Sequence, residues 1–263
     1  MELDHILLEE ADGVATITMN RPDKLNAMAP ESLDRFVTLL DRVRDEGTAR
    51  ALVLTGKGRA FCSGADLSAD DHDPDAPFPD RGTGLERGHN LVAERMRYLP
   101  VPIVCAVNGG AAGGGCGYAL AGDIVIAARS AYFLQPFANI GLVPDVGATW
   151  LLPRLIGKAR ATAMMMLGER IPAETAAEWG LIWQVVDDDA LMDTAYALAR
   201  KLAAGPTVTY SMMRQGIADA MEMSLAQTLG MERRNQRIAG RTADHREGVA
   251  AFLEKRSPKF EGR

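Results

Sequence analysis

Residues 13–19, Gly-Val-Ala-Thr-Ile-Thr-Met, alternate small apolar and β-branched side chains, which predicts a strand. A turn follows at Asn20-Arg21-Pro22-Asp23-Lys24. After Pro30, the apolar positions Leu33, Phe36, Val37, Leu40 and Val43 recur at helical spacing, predicting a helix over 30–46. Residues 51–55 (Ala-Leu-Val-Leu-Thr) form a short unbroken apolar run, as do Val101–Val107 and Asp123–Ala128 after its first residue. Such runs mark strands covered on both faces. Residues 68–84 hold five Asp, three Pro and two Gly and predict a polar loop. A helix is expected at about 85–98 and an apolar one near 117–121. The strand–turn–helix units are too short and irregular for a doubly wound sheet, and a stacked, spiral α/β arrangement fits them better. From about residue 159 the pattern is helical, with breaks at Gly168, Gly180, Gly205-Pro206 and Gly240. This divides the chain into an expected core, 1–200, and a helical C-terminal region, 201–263, suited to covering the core or packing on a neighbouring subunit.

Composition adds little to the fold and more to the function. With 263 residues, 47 % apolar and 24 % charged, the chain has the balance of a soluble globular protein. A net charge of −6 argues against a general affinity for nucleic acid or an anionic membrane. Cys62, Cys105 and Cys116 form no C-x-x-C pair, and their odd number suggests free thiols in a reducing compartment. No apolar run approaches the roughly 20 residues of a membrane span, and the start is acidic. A cytoplasmic protein is therefore expected. His5, His72, His89 and His245 are scattered without ligand spacing, so no metal site is expected.

Two glycine-rich turns follow buried strands. Gly113-Gly114-Gly115 opens a helix, and two readings fit it: free backbone N–H groups at a positive helix end, able to hold an oxyanion, or close helix–strand packing. The run is not a dinucleotide fingerprint, since Leu120 stands where the last small residue belongs. Phe61-Cys62-Ser63-Gly64-Ala65-Asp66 is a second small-residue turn that would supply the other half of such a site. Ser63 lies in no G-x-S-x-G elbow, and Cys62 and Cys116 read as small core residues. The methionines at 164–166, 212, 213, 221 and 223 fit adaptable packing or a lining for an apolar chain. Lys255, Arg256, Lys259 and Arg263 make a basic end, either solvated or in contact with phosphate.

Together these segments resemble the crotonase (enoyl-CoA hydratase/isomerase) superfamily. The similarity rests on Asn20-Arg21-Pro22-Asp23-Lys24-Leu25-Asn26-Ala27-Met28 and Gly58-Arg59-Ala60-Phe61-Cys62-Ser63-Gly64-Ala65-Asp66-Leu67. Ala106-Val107-Asn108-Gly109, Gly113-Gly114-Gly115-Cys116, Leu152-Pro153-Arg154-Leu155-Ile156-Gly157 and the ending at 252–260 follow in the family's order. The resemblance implies a spiral of ββα units, a helical C-terminal trimerisation region, and a homotrimer or dimer of trimers. It implies an acyl-CoA substrate, with no cofactor beyond the coenzyme A that the substrate carries. The thioester oxygen would lie between the N–H groups of Ala65 and Gly114, where two donors would each lower the barrier to enolate formation by roughly 3–4 kcal/mol. Lys24, Leu25, Asn26, Ala65, Asp66 and Leu67 would contact the nucleotide and pantetheine, and Lys259 a phosphate.

Where the sequence departs from the family it is more specific. Hydratases carry a glutamate directly after the Gly-Gly-Gly-Cys run; here that position is Gly117. Their second glutamate follows Gln-Pro; here Gln135-Pro136 precedes Phe137. Gly117 and Phe137 would make the acyl pocket more apolar. Val143-Pro144-Asp145 followed by Gly147-Ala148-Thr149-Trp150 is similar to the Δ3,Δ2-enoyl-CoA isomerases and, more closely, to the ring-1,2-epoxyphenylacetyl-CoA isomerases. Moving a double bond needs one base that takes a proton and returns it, so a single carboxylate suffices. By itself Pro144-Asp145 is common turn chemistry; with the resemblance Asp145 becomes the expected acid/base. The function expected is thus an enoyl-CoA isomerase. The alternatives are a hydratase using Asp145 and a bound water, and a non-catalytic acyl-CoA binder.

Overall fold

A computed structural model describes residues 5–69 and 80–263. The first strand, β1 (Ile6–Ala11), pairs antiparallel with β2 (Val14–Met19) across the turn at Asp12 and Gly13. α1 (Pro30–Glu46) occupies the span its periodicity predicts, with Pro30 in its first turn and Gly47 in the left-handed conformation ending it. Then β3 (Ala51–Gly56), fully buried, continues into β4 (Ala60–Cys62). A short helix, α2 (Arg81–Gly84), runs through a π turn at Leu85–His89 into α3 (Asn90–Tyr98). Next come β5 (Ile103–Val107), β6 (Gly110–Ala112) and α4 (Gly114–Leu120). β7 (Ile124–Ala128), β8 (Tyr132–Leu134) and α5 (Ala148–Leu167) repeat the sequence, α5 kinking at Gly157.

The strands alternate between two sheets. A six-stranded sheet has the order β1-β2-β3-β5-β7-β10, parallel except at β1, with β10 at Gln184–Val186. A four-stranded sheet has the order β4-β6-β8-β9, with β9 at Ile171–Pro172. Each step therefore lays one strand in the large sheet, the next in the small one, and then a helix. This is the expected spiral of ββα units. α6 (Ala173–Glu178) follows β9, and α7 (Leu191–Ala203) covers the large sheet against β3 and β5. The expected boundary at residue 200 falls inside α7, whose last residue is Ala203. The chain then turns at Gly205 and Pro206 into α8 (Thr207–Ala220), α9 (Leu225–Ala239) and α10 (Ala243–Glu254).

Several elements differ from the sequence reading. β1 has no strong pattern because only Ile6 is fully buried; the strand is an edge, and Glu9 and Glu10 face solvent. The short strands β4, β6, β8, β9 and β10 have two or three residues each, too few to show a period. α4 begins at Gly114, earlier than expected, because its glycines lack helix propensity but permit close packing. The expected loop at 68–84 lies mostly outside the described residues; its described end is α2, capped by Asp80, whose carboxylate accepts the Gly82 N–H at 2.8 Å.

Candidate active site

Two turns meet at the mouth of α4. In the first, Leu25 and Asn26 both take left-handed backbone angles, φ 52° and 58°. Asn26 is buried: its amide donates to the carbonyls of Lys57, Ala60 and Phe61, and its oxygen accepts the Arg21 N–H. The Asn26 side chain thus holds the frame instead of reaching a ligand, while Lys24 beside it is exposed. This turn is tied to the second by Ser63 N–H to Leu25 O, Met28 N–H to Gly64 O and Asp66 N–H to Met28 O. An ion pair between Arg21 and Asp66 at 2.8 Å closes the joint, and Ser68 also donates to Asp66. Ser68 first, then burial working against it and Arg21, leaves the Asp66 carboxyl below its ordinary range. The segments expected to meet coenzyme A therefore form one wall.

Gly64, at φ +95°, brings this wall against α4. A Cβ there would lie 3.3 Å from Gly114 N and 3.1 Å from Ala112 O. Only glycine takes that backbone angle at such a distance without strain. The Gly114 N–H opens α4, outside its ladder of helical bonds. Among the described residues neither the Ala65 nor the Gly114 N–H has an acceptor. Two backbone donors thus stand side by side at the helix start. The close-packing reading of the triple glycine also applies: Gly115 packs so tightly that a Cβ would sit 2.2 Å from Cys62 O.

Asp145 reaches the same place from the turn before α5. Its carbonyl accepts the Ala148 N–H at 2.9 Å, and its Oδ1 is buried without a hydrogen-bond partner among the described residues. Oδ1 lies 3.3 Å from where a Gly114 Cβ would be. Burial pushes the Asp145 carboxyl up to about 6, well above the ordinary 3.8. A buried carboxylate oxygen without a partner costs stability, and such groups concentrate at functional sites.

Three other residues stand here that no motif in the chain points to. His89 Nδ1 also lies 3.7 Å from the Gly114 Cβ position and is 2.6 Å from Tyr118 Oη. Tyr118 is one helical turn beyond Gly114, so its side chain leans back over the helix start. Burial pushes His89 down to about 4 and the Tyr118 hydroxyl well up, so both are neutral near pH 7. His89 closes the π turn, a local widening often found at functional sites, and π turns carry no short-range sequence signature. The third residue, Val146, is buried at φ +48°, a rare angle for a β-branched side chain.

The remaining expected residues are placed as follows. Phe137 is buried and packs on Gly113, its Cζ 3.6 Å from the Gly113 Cβ position. Gly117, expected to line the acyl pocket, is itself buried, and Val146 fills the space its side chain would take. Leu67 is exposed. Lys259 lies on the C-terminal tail, its N–H bonded to Glu247 at 2.8 Å. Cys62 and Cys116 are buried thiols pushed up to about 12, which keeps them from acting as nucleophiles.

Residues 9–263 match the sequence family described as enoyl-CoA hydratase/isomerase. The chain is 50% identical over 261 residues to the 1,2-epoxyphenylacetyl-CoA isomerase of Escherichia coli, covering 99% of this chain and 100% of that one. It is 34% identical to the short-chain-enoyl-CoA hydratase of Clostridium acetobutylicum, covering 100% of this chain and 98% of that one. Among solved structures, an enoyl-CoA hydratase from Bacillus anthracis superposes with a TM-score of 0.91 at 31% identity, over 98% of this chain and 100% of that one. With its spiral of paired strands and its two free N–H groups at the mouth of α4, the chain belongs to the enoyl-CoA hydratase/isomerase (crotonase) family.

Proposed function

We propose that the protein isomerises an enoyl-CoA, or a ring-derived acyl-CoA, through a thioester enolate with Asp145 as its single acid/base. The carrying observation is the buried Asp145 Oδ1, without a hydrogen-bond partner among the described residues and 3.3 Å from where a Gly114 Cβ would be. In the reaction, the Asp145 carboxylate takes a proton from the α carbon of a 3-enoyl thioester. The C–H electron pair moves into the bond to the carbonyl carbon, and the carbonyl electrons move onto oxygen. The N–H groups of Ala65 and Gly114 receive that negative oxygen. Asp145, now a carboxylic acid, returns the proton to the γ carbon, leaving the double bond between α and β. A carboxyl group near 6 suits both halves, since it is ionised at neutral pH and still holds a proton readily. The 50% identity to an enzyme named as an isomerase supports the same reading.

Lys24, Ala65, Asp66 and Leu67 form the coenzyme A wall in this scheme, Lys24 and Lys259 through charge on phosphate. Apolar side chains left exposed on the C-terminal helices, Ile217 on α8, Leu225 on α9 and Phe252 on α10, support assembly into a homotrimer or a dimer of trimers.

The test is conversion of 3-enoyl-CoA to the conjugated 2-enoyl-CoA, followed by absorbance. Asp145→Ala is expected to lose about 10²- to 10⁴-fold in turnover; an unchanged rate overturns the assignment. Hydratase names among the relatives favour a second reading, water addition with Asp145 as base. Rapid hydration of crotonyl-CoA by the wild type, lost in Asp145→Ala, would establish it instead.

A further inference from the structure

We propose that Gly117 and Val146 form a steric lock that positions Asp145, so that a side chain at position 117 and the Asp145 turn in its present place exclude one another. This rests on the reading of Asp145 as the acid/base and deepens it. Gly114 and Gly117 are three residues apart on α4 and share one face, which leaves a groove with no side chains over one turn. Val146 fills that groove. Its Cγ2 lies 3.0 Å from the Gly114 Cβ position. At Gly117 a Cβ would meet Val146 Cβ at 2.6 Å, its carbonyl oxygen at 2.7 Å and its Cγ1 at 2.9 Å. Two of these three atoms are backbone or Cβ, which cannot swing away as the tip of a long side chain could. Any substituent at 117 must displace the turn itself.

The backbone points the same way. Val146 keeps φ at +48° and Gly147 at +72°. A β-branched residue holds that conformation only where its surroundings over-determine it. Here the surroundings are the empty face of α4, and Val146 is 2 % exposed. Asp145 is the preceding residue, and its Oδ1 lies 3.3 Å from the same Gly114 point that Val146 approaches. The wedge therefore sets where the carboxylate stands. Neither Gly117 nor Val146 supplies a reacting atom; both are positioning residues.

The experiment compares Gly117→Ala, Val146→Gly and their double variant, with Asp145→Ala alongside. The readouts are turnover of a 3-enoyl-CoA and the Kd for butyryl-CoA, a saturated thioester that binds without reacting. Gly117→Ala is expected to lose about 100-fold in kcat, the cost of roughly 1 Å of misplacement, with Kd within about threefold. Val146→Gly is expected to lose kcat while keeping Kd. The double variant keeps the carbonyl contact but loses the Cβ and Cγ1 contacts and gains a backbone free to shift that carbonyl, so it should exceed Gly117→Ala by about tenfold, a coupling that independent damage would not show. Wild-type kcat in Gly117→Ala, or in Val146→Gly should the first variant not fold, overturns the lock. So does a double variant no better than the product of the single effects. If Asp145→Ala itself keeps turnover, the acid/base reading fails; if it is inactive while Gly117→Ala is fully active, only the lock fails.

Discussion

Asp145 and His89 sit beside the same helix start and are displaced from their ordinary pKa values in opposite directions. Asp145 is raised to about 6, so the folded protein binds more protons than the unfolded chain between about 3.8 and 6. Its contribution is intact at low pH and is lost as pH rises through 6. His89 is lowered to about 4, so the unfolded chain binds more protons between about 4 and 6.5. Its contribution is intact above 6.5 and is lost as pH falls towards 4. Each effect amounts to about 3 kcal/mol when complete. In the wild type the two offset one another across nearly the same window. Single substitutions should separate them: in Asp145→Asn stability should rise from pH 4.5 to 7, and in His89→Gln it should fall. Urea unfolding at the two pH values reads this directly, and two parallel, flat profiles would refute it. Activity should follow Asp145 alone. On a 3-enoyl-CoA, kcat/KM should climb with pH to a plateau, with a midpoint near 6, since only the ionised carboxylate accepts the proton.

At the scale of elements, the junction of β4, β6 and α4 carries the site, and its glycines carry the junction. Gly115→Ala would press a methyl group to 2.2 Å from Cys62 O and 2.7 Å from its carbonyl carbon, both backbone atoms. The expected cost is about 2–4 kcal/mol in unfolding free energy; a stability equal to wild type would show that α4 can retreat freely. This junction also shows what the sequence can carry. α1 was legible because six of its residues are buried on one stripe. β3 and β5 were legible because every residue in them is buried. Ala65, Gly114 and Asp145 were reachable as candidates only through the family resemblance that their segments carry; alone, Pro144-Asp145 reads as a turn. His89 and Tyr118 were not, because their 2.6 Å bond joins positions 29 residues apart, and only the spiral brings those positions together. Val146 was not, because an ordinary valine shows its unusual backbone angle only once the groove beneath it is known.

At the scale of the molecule, two arginines tie the C-terminal helices to the core. Arg50 donates to Thr207, to the carbonyl of Phe260 and to that of Gly205. Arg214, on α8, pairs with Asp123 at 2.5 Å and donates to the carbonyls of Leu99 and Met96. These ties fix the inner side of the helical region and leave its outer apolar side chains uncovered in the single chain. Between α8 and α9 a cavity of about 380 Å³ is lined by Met212, Met213 and Met231 among others. Sedimentation at micromolar concentration is expected to give three or six times the mass of one chain. A monomer at that concentration would contradict the proposed assembly. Among the described residues no helix is long and apolar enough to cross a membrane.

The packing of Val146 over Gly117 also bears on how such a sequence can change over generations. A single mutation that introduced a carboxylate at position 117 would not add a second acid to a working site, because the Val146 carbonyl stands 2.7 Å from its Cβ. It would first dislodge the turn that carries Asp145. Any route to a two-carboxylate site must therefore rebuild the turn at 145–147 before, or together with, position 117.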